Sequence, residues 1–149
     1  MKTHTAEASK IIEAPAEEVY PIIADYRDTH AKILPKPYFH SLEVEEGGFG
    51  EGTVIRFQIR VLGQKQTFRA YISEPDPGRV LRETDPISET ETTFTVSPYG
   101  DGMRSEVRIS TELKNRGAVE GLTAKLMLQK IYSLELQLLA EISEKAILA

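Results

Sequence analysis

The chain has 149 residues, 18 basic and 23 acidic side chains, a net charge of −5, and neither cysteine nor tryptophan. That length suits one domain with a core of its own, and the missing cysteines exclude disulfide staples, a thiolate nucleophile and a cysteine zinc site. An acidic balance without a basic cluster argues against nucleic acid as a partner, and without an apolar leader or a span-length apolar run the expectation is a soluble, cytoplasmic protein with no stable membrane insertion.

Thr5 to Ile12 reads as a first strand, bounded by Pro15. In Glu13-Ala14-Pro15-Ala16-Glu17-Glu18-Val19-Tyr20, a proline at the first helical position and acids in the first turn mark a helix start. Neither the missing N–H nor the negative charge is costly there. Val19, Ile22, Ile23 and Tyr26 supply an inward face, while Pro21 predicts a kink or a broken turn. Pro35 and Pro37 then divide residues 25–40 into a short second helix and an irregular loop, a candidate lid.

From Leu42 the period changes to two. Thr53, Ile55, Phe57, Ile59 and Val61 alternate with polar neighbours, and so do Phe68, Ala70 and Ile72. The alternation returns at Thr92, Phe94 and Val96 and at Val107, Ile109, Thr111 and Leu113. Glycine- and proline-bearing turns separate these runs: Gly47-Gly48, Leu62-Gly63-Gln64, Pro75-Asp76-Pro77-Gly78 and Tyr99-Gly100-Asp101-Gly102. Residues 79–85 form a further strand whose facing Val80 and Leu81 leave undecided.

Gly117 to Leu148 predicts one long helix, about 48 Å at 1.5 Å per residue. Its expected buried stripe is Met127, Leu128, Ile131, Leu134, Leu138, Leu139, Ile142 and Ala146, with Glu135 projecting from the middle. Leu122, Leu126, Leu136 and Ile147 form a second apolar patch, a surface for a homodimer or another protein if the cavity were collapsed. The pattern as a whole predicts a single α+β domain over residues 1–149. A curved antiparallel sheet of about seven strands wraps round the C-terminal helix, and two short helices follow the first strand.

The stretch from Ile12 to Tyr20 resembles the strand-to-helix signature of the START-related (SRPBCC) superfamily, which includes polyketide cyclases and dehydrases, lipid-transfer START domains and pollen-allergen-type proteins. Gly50-Glu51-Gly52-Thr53 resembles its turn into a central strand, Pro75 to Leu81 its hairpin, and Gly117 to Leu148 its gripping helix. The resemblance is closest to the polyketide cyclase/dehydrase and lipid transport group. It implies a helix-grip fold with a hydrophobic cavity that binds lipids, sterols, polyketides or hormones and in some members acts on them. These are scaffold motifs, and none is a catalytic signature.

A sheet bent round one helix leaves a cavity where inward side chains are small. The expected lining is Ile55, Phe57, Ile59, Phe68, Ala70, Ile72, Thr92, Phe94, Val107, Ile109 and Thr111 from the sheet. Leu128, Ile131, Glu135 and Leu138 join it from the helix, and Tyr26, Tyr38 and Phe39, with His30, stand at a mouth under the lid. Binding of a hydrophobic small molecule is the first functional expectation; a metal-free cyclase or dehydrase using the same cavity is the second.

Glu135, His30 and Tyr38 are the candidates for proton transfer, and Glu135 leads because a carboxyl among apolar side chains is raised in pKa. Against it stands a structural reading in which Glu135 escapes to solvent or pairs with a cation. His4, His30 and His40 lack metal-ligand spacing and read as surface residues, so neither metal nor cofactor is expected. Arg56, Arg60, Arg69 and Arg108 share the polar phase of the strands with Glu91, Glu106 and Glu112 and read as a solvated outer face. Gly117 and Gly121 loosen the start of the long helix and are candidate hinges.

Overall fold

The computed structural model describes residues 2–61 and 63–148; Leu62 of the predicted turn and the facing of Val61 lie outside what is described. Strand β1 (Lys2–Ile12) leads into α1 (Ala16–Ala24) and the single turn α2 (Thr29–Lys32). Six strands follow: β2 (Phe39–Glu46), β3 (Val54–Val61), β4 (Gln64–Asp76), β5 (Val80–Asp85), β6 (Thr90–Tyr99) and β7 (Arg104–Arg116). Helix α3 (Ala118–Leu148) ends the chain.

The seven strands form one antiparallel sheet in the order β1-β7-β6-β5-β4-β3-β2. Strands β2 to β7 pair as a meander because short turns join them. The two helices carry the chain from β1 to the opposite edge, so β1 closes on β7, with Ala6 opposite Thr111 and Ala8 opposite Ile109. The alternating residues of β6 and β7 point inward: Phe94, Val96, Val107, Ile109 and Leu113 are all buried.

Local chemistry fixes the entry to α1. Pro15 is the N-cap with φ −65° and ψ 152°, so the helix starts one residue later than predicted, and the Pro15 carbonyl accepts from the N–H groups of Glu18 and Val19. The helix runs through Pro21 without the predicted broken turn and ends three residues later. Val19, Tyr20 and Ile23 anchor it to the core, so tertiary packing outweighs the one hydrogen bond that proline removes.

The junction after α1 is tied to the β2–β3 turn by Tyr26 N–H to Gly48 carbonyl at 2.8 Å and Gly50 N–H to Ala24 carbonyl at 3.0 Å. Gly50 has φ +61°, a conformation that favours glycine, and a Cβ there would also displace the Glu74 carboxylate from its place beside the turn.

The buried face of α3 is rotated from the predicted stripe. It consists of Gly121, Ile131, Tyr132, Glu135, Leu136, Leu139, Ala140 and Ser143. Leu134, Leu138 and Ile142 sit on its flank, and Ala146 is exposed. Leu136, assigned from sequence to an outer patch, is 1 % exposed, which leaves Leu122, Leu126 and Ile147 at the surface. Gly121 is buried against β1, where an added Cβ would stand 2.1 Å from the His4 ring, so it serves close helix–strand approach. On the outer face, Arg69 reaches Glu45 at 2.6 Å and Arg82 reaches Glu91 at 3.5 Å, as cross-strand ion pairs.

Candidate functional site

Between the sheet and α3 lies a cavity of about 900 Å³. One wall is aromatic. Phe39, Phe57 and Phe68 stand side by side on β2, β3 and β4, with ring centroids 6.1 and 5.4 Å apart. Ile55 and Ile59 flank them, Phe94 is contributed by β6, and Leu128 closes from the helix. The exposed part of the lining is Gln64 and Gln66 of β4, Ile87 and Glu89 of the β5–β6 turn, Asn115, and Glu120 and Thr123 of α3, so the cavity opens there.

Its inner end carries the polar groups. On β5, Leu81 and Asp85 are buried in phase with Glu83, while Arg82 takes the opposite phase and pairs outward with Glu91. This alternation turns Glu83 into the cavity. The Tyr26 hydroxyl donates to Glu83 Oε2 at 2.6 Å. Helix α2 brings His30 alongside: its ring stacks on Tyr26 at 4.1 Å, its edge meets Phe94, and Nε2 lies 3.6 Å from Glu83 Oε2. His30 Nδ1 is 2.7 Å from the Ile23 carbonyl, to which it donates. That donation leaves Nε2 unprotonated in a neutral ring.

Helix α3 adds Tyr132 and Glu135, one turn apart on its buried face. Thr92 and Thr111 are directly opposed across β6 and β7, with hydroxyl oxygens 2.7 Å apart, and Thr111 also bonds the Tyr132 hydroxyl. Glu135 is 2 % exposed and makes no hydrogen bond or ion pair among the described residues; its carboxyl belongs to the cavity wall.

The electrostatics follow from removing these groups from water. Burial pushes Glu83 up to about 7, against the opposing effect of the Tyr26 hydrogen bond. Burial, then the nearby Glu83 charge, holds Glu135 well above the usual carboxyl range. Burial lowers His30 to about 4, so near neutral pH the contact with Glu83 is not an ion pair. Tyr26 and Tyr132 are both raised by burial and remain hydroxyl donors. The inner end therefore offers protonatable carboxyls, hydroxyls and a neutral imidazole and, among the described residues, no cation.

Of the lining expected from sequence, Phe39, Ile55, Phe57, Ile59, Phe68, Thr92, Phe94, Thr111, Leu128 and Glu135 stand on the wall. Ala70, Ile72, Val107, Ile109 and Ile131 are buried in the core outside it, and Tyr38 and Leu138 pack against that core half-buried. His30 and Tyr26 are each 2 % exposed and belong to the inner end; neither is a surface or mouth residue. Tyr38 is not on the cavity wall and makes no side-chain hydrogen bond to Glu83 among the described residues, whereas His30 Nε2 lies 3.6 Å from its carboxylate. No group of three metal-ligating side chains gathers among the described residues.

Glu83 and Tyr132 are absent from the sequence-level lining. The alternation of Leu81, Glu83 and Asp85 was the available signal for Glu83, masked by the adjacent apolar pair Val80 and Leu81. Tyr132 lies beside Ile131 at helical spacing from Glu135 and Leu136, a signal visible only once the true buried face of α3 is known.

A curved antiparallel sheet gripping a long C-terminal helix over an internal cavity is the helix-grip arrangement of START-like proteins. The sequence profile of the polyketide cyclase/dehydrase and lipid transport family matches residues 3–144, and the chain belongs to that family. No curated protein sequence matches it. Among solved structures it is similar to the KanY protein, with 28 % identity, a TM-score of 0.85, and coverage of 97 % of this chain and 99 % of that one. The Zhui aromatase/cyclase of Streptomyces sp. R1128 shares the fold at 21 % identity and TM-score 0.72, with 97 % and 96 % of the two chains covered. Norcoclaurine synthase of Thalictrum flavum, in complex with a transition state analogue, shares it at 15 % identity and TM-score 0.73, over 97 % and 96 % of the chains.

Proposed function

We propose that this protein binds, and carries, a hydrophobic small molecule of lipid or polyketide character in the cavity between the sheet and α3. The supporting observation is a cavity of about 900 Å³ whose aromatic wall leads from an open rim to a buried polar end. A ligand burying about 300 Å² of apolar surface there gains roughly 7.5 kcal/mol at 25 cal/mol per Å², before the cost of immobilisation. The polar end then sets its orientation.

Native mass spectrometry of protein purified from its own host, with extraction of any retained compound, tests this reading. A stoichiometric apolar compound is the expected result. A protein that comes through empty and also fails to bind Nile red, a neutral hydrophobic dye, would overturn it.

A second reading is favoured by one observation: Glu83, held at about 7, touches the Tyr26 hydroxyl at the end of the cavity. A carboxyl poised near neutral pH is suited to moving a proton next to a carbonyl, the first step of an aldol-type cyclisation or a dehydration. Deuterium incorporation beside the carbonyl of a bound ketone in heavy water is the assay, and incorporation undiminished in Glu83→Gln would remove Glu83 from that role.

A further inference from the structure

We propose that the ligand of this cavity is an apolar molecule bearing a protonated amine, whose ammonium pairs with the carboxyls of Glu83 and Glu135. The proposal rests on the cavity-binding reading above and adds the chemical class of the ligand.

The charged residues on the wall are four glutamates, Glu83, Glu89, Glu120 and Glu135, and one arginine, Arg116. Arg116 is already engaged at the rim: its guanidinium donates to the carbonyls of Lys114 and Ser88 and lies 3.9 Å from Glu120. Glu89 accepts from Asn115 at the same rim. Among the described residues the inner end has no cation to offset its acids. His30 is neutral, with its only N–H given to the Ile23 carbonyl. Tyr26 supplies Glu83 with one hydrogen bond, and Tyr132 is occupied with Thr111.

Glu135 carries the argument further than the acid count does. It lies in the middle of the buried face of α3, is 2 % exposed, and faces the cavity with no hydrogen bond or ion pair among the described residues. A carboxyl set in an apolar cavity wall without a protein partner is costly, and Leu or Met at this position would relieve the cost at once. A ligand group that supplies both hydrogen-bond donors and positive charge relieves it too. An ammonium has three donors and one charge and matches two carboxyls that lack a cation. A ligand carboxylate entering the same end would find no positive charge among the described wall residues there and would hold both carboxyls protonated. A hydroxyl would bring a single donor and no charge.

The test is competition against Nile red near neutral pH by dodecylamine, dodecanol and dodecanoic acid, each below its aggregation concentration. The three share one apolar tail and differ in the head group. Dodecylamine should displace the dye at a concentration roughly tenfold or more below dodecanol, with dodecanoic acid the weakest. In Glu83→Gln and Glu135→Gln the advantage of amine over alcohol should shrink severalfold. Calorimetry in buffers of different ionisation enthalpy should show proton release on binding the amine and none with the alcohol.

Dodecanol or dodecanoic acid binding as tightly as the amine to the unaltered protein would overturn the proposal and leave the cavity-binding reading standing. Failure of Nile red and of all three compounds to bind would overturn both. The ranking on the unaltered protein decides the matter even if a variant does not fold.

Discussion

The Tyr26 hydroxyl donates a 2.6 Å hydrogen bond to Glu83 Oε2, joining the end of the first helix to the middle of β5 across 57 positions of sequence. Both groups lie inside the protein, so the bond is charge-assisted whenever Glu83 is ionised. Replacing Tyr26 with Phe removes a donor that lowers the Glu83 pKa, and Glu83 should then titrate above about 7. The loss of stability should be about 1.5–3 kcal/mol near pH 8, the range for hydrogen bonds to charged groups. Carboxyl carbon NMR and urea denaturation measure the two effects; a Glu83 titration unmoved by the substitution would show that the bond does not hold the carboxylate.

Stability should depend on pH through the same cluster. The folded state raises Glu83 from 4.5 to about 7, so folding favours its protonated form. Its contribution is complete below pH 4.5 and is lost as pH climbs through about 7, with a total of about 3 kcal/mol at 1.36 kcal/mol per unit. His30 works in the opposite sense. Lowered from 6.5 to about 4, it favours the neutral ring in the fold, so its contribution is present above pH 6.5 and disappears as pH falls through 4. Denaturation of the unaltered protein and of Glu83→Gln across pH 4 to 8 separates the two: the stability of the unaltered chain relative to the variant should fall with rising pH. A constant difference would mean that Glu83 titrates alike in the folded and unfolded states.

Glu135→Gln should stabilise the empty protein in alkaline buffer. Burial and the Glu83 charge both disfavour the ionised Glu135 carboxyl, a penalty that grows as pH rises and that an amide does not carry. The variant should unfold at a higher temperature than the unaltered chain at pH 8, and the two should converge near pH 4. A variant less stable at pH 8 would indicate that the carboxylate has a partner that glutamine cannot replace.

Gly121→Ala tests the contact between α3 and β1. By helix propensity alone alanine should gain about 1 kcal/mol, but the new methyl meets the His4 ring at 2.1 Å. Overpacking of this kind costs about 1–3 kcal/mol, so a net loss is expected. His4→Ala in the same chain should recover most of it, as a double-mutant cycle by thermal or chemical denaturation would record. Equal effects of Gly121→Ala in both backgrounds would point to the helix backbone as the cause.

Much of this fold is written in periodicity. Alternation of apolar and polar residues marked β3, β4, β6 and β7, and Pro15 with Glu17 and Glu18 marked the start of α1, because strand pleat and helix capping act over a few neighbouring residues. The long C-terminal helix and the position of Glu135 on it were legible for the same reason. Local pattern failed where several faces competed. The apolar residues of α3 surround more than half of its circumference, so the burial of Leu136 and Tyr132, and the exposure of Ala146, were settled by where β1 and the cavity lie. Pro21 stayed within a helix because Val19, Tyr20 and Ile23 pack on both sides of it.

The sequence by itself determined the order of strands and helices, the antiparallel sheet, the gripping helix and the place of an acid within its apolar stripe, all consequences of spacing along the chain; that this acid has no partner among the described residues is a tertiary fact. Only the tertiary structure decided that Glu83 turns inward, that His30 lies buried beside it under Tyr26, and that these groups face Glu135 across one cavity. Those relationships join α2, β5 and α3, elements distant in sequence, and they arise from sheet curvature and helix placement, which no local periodicity records.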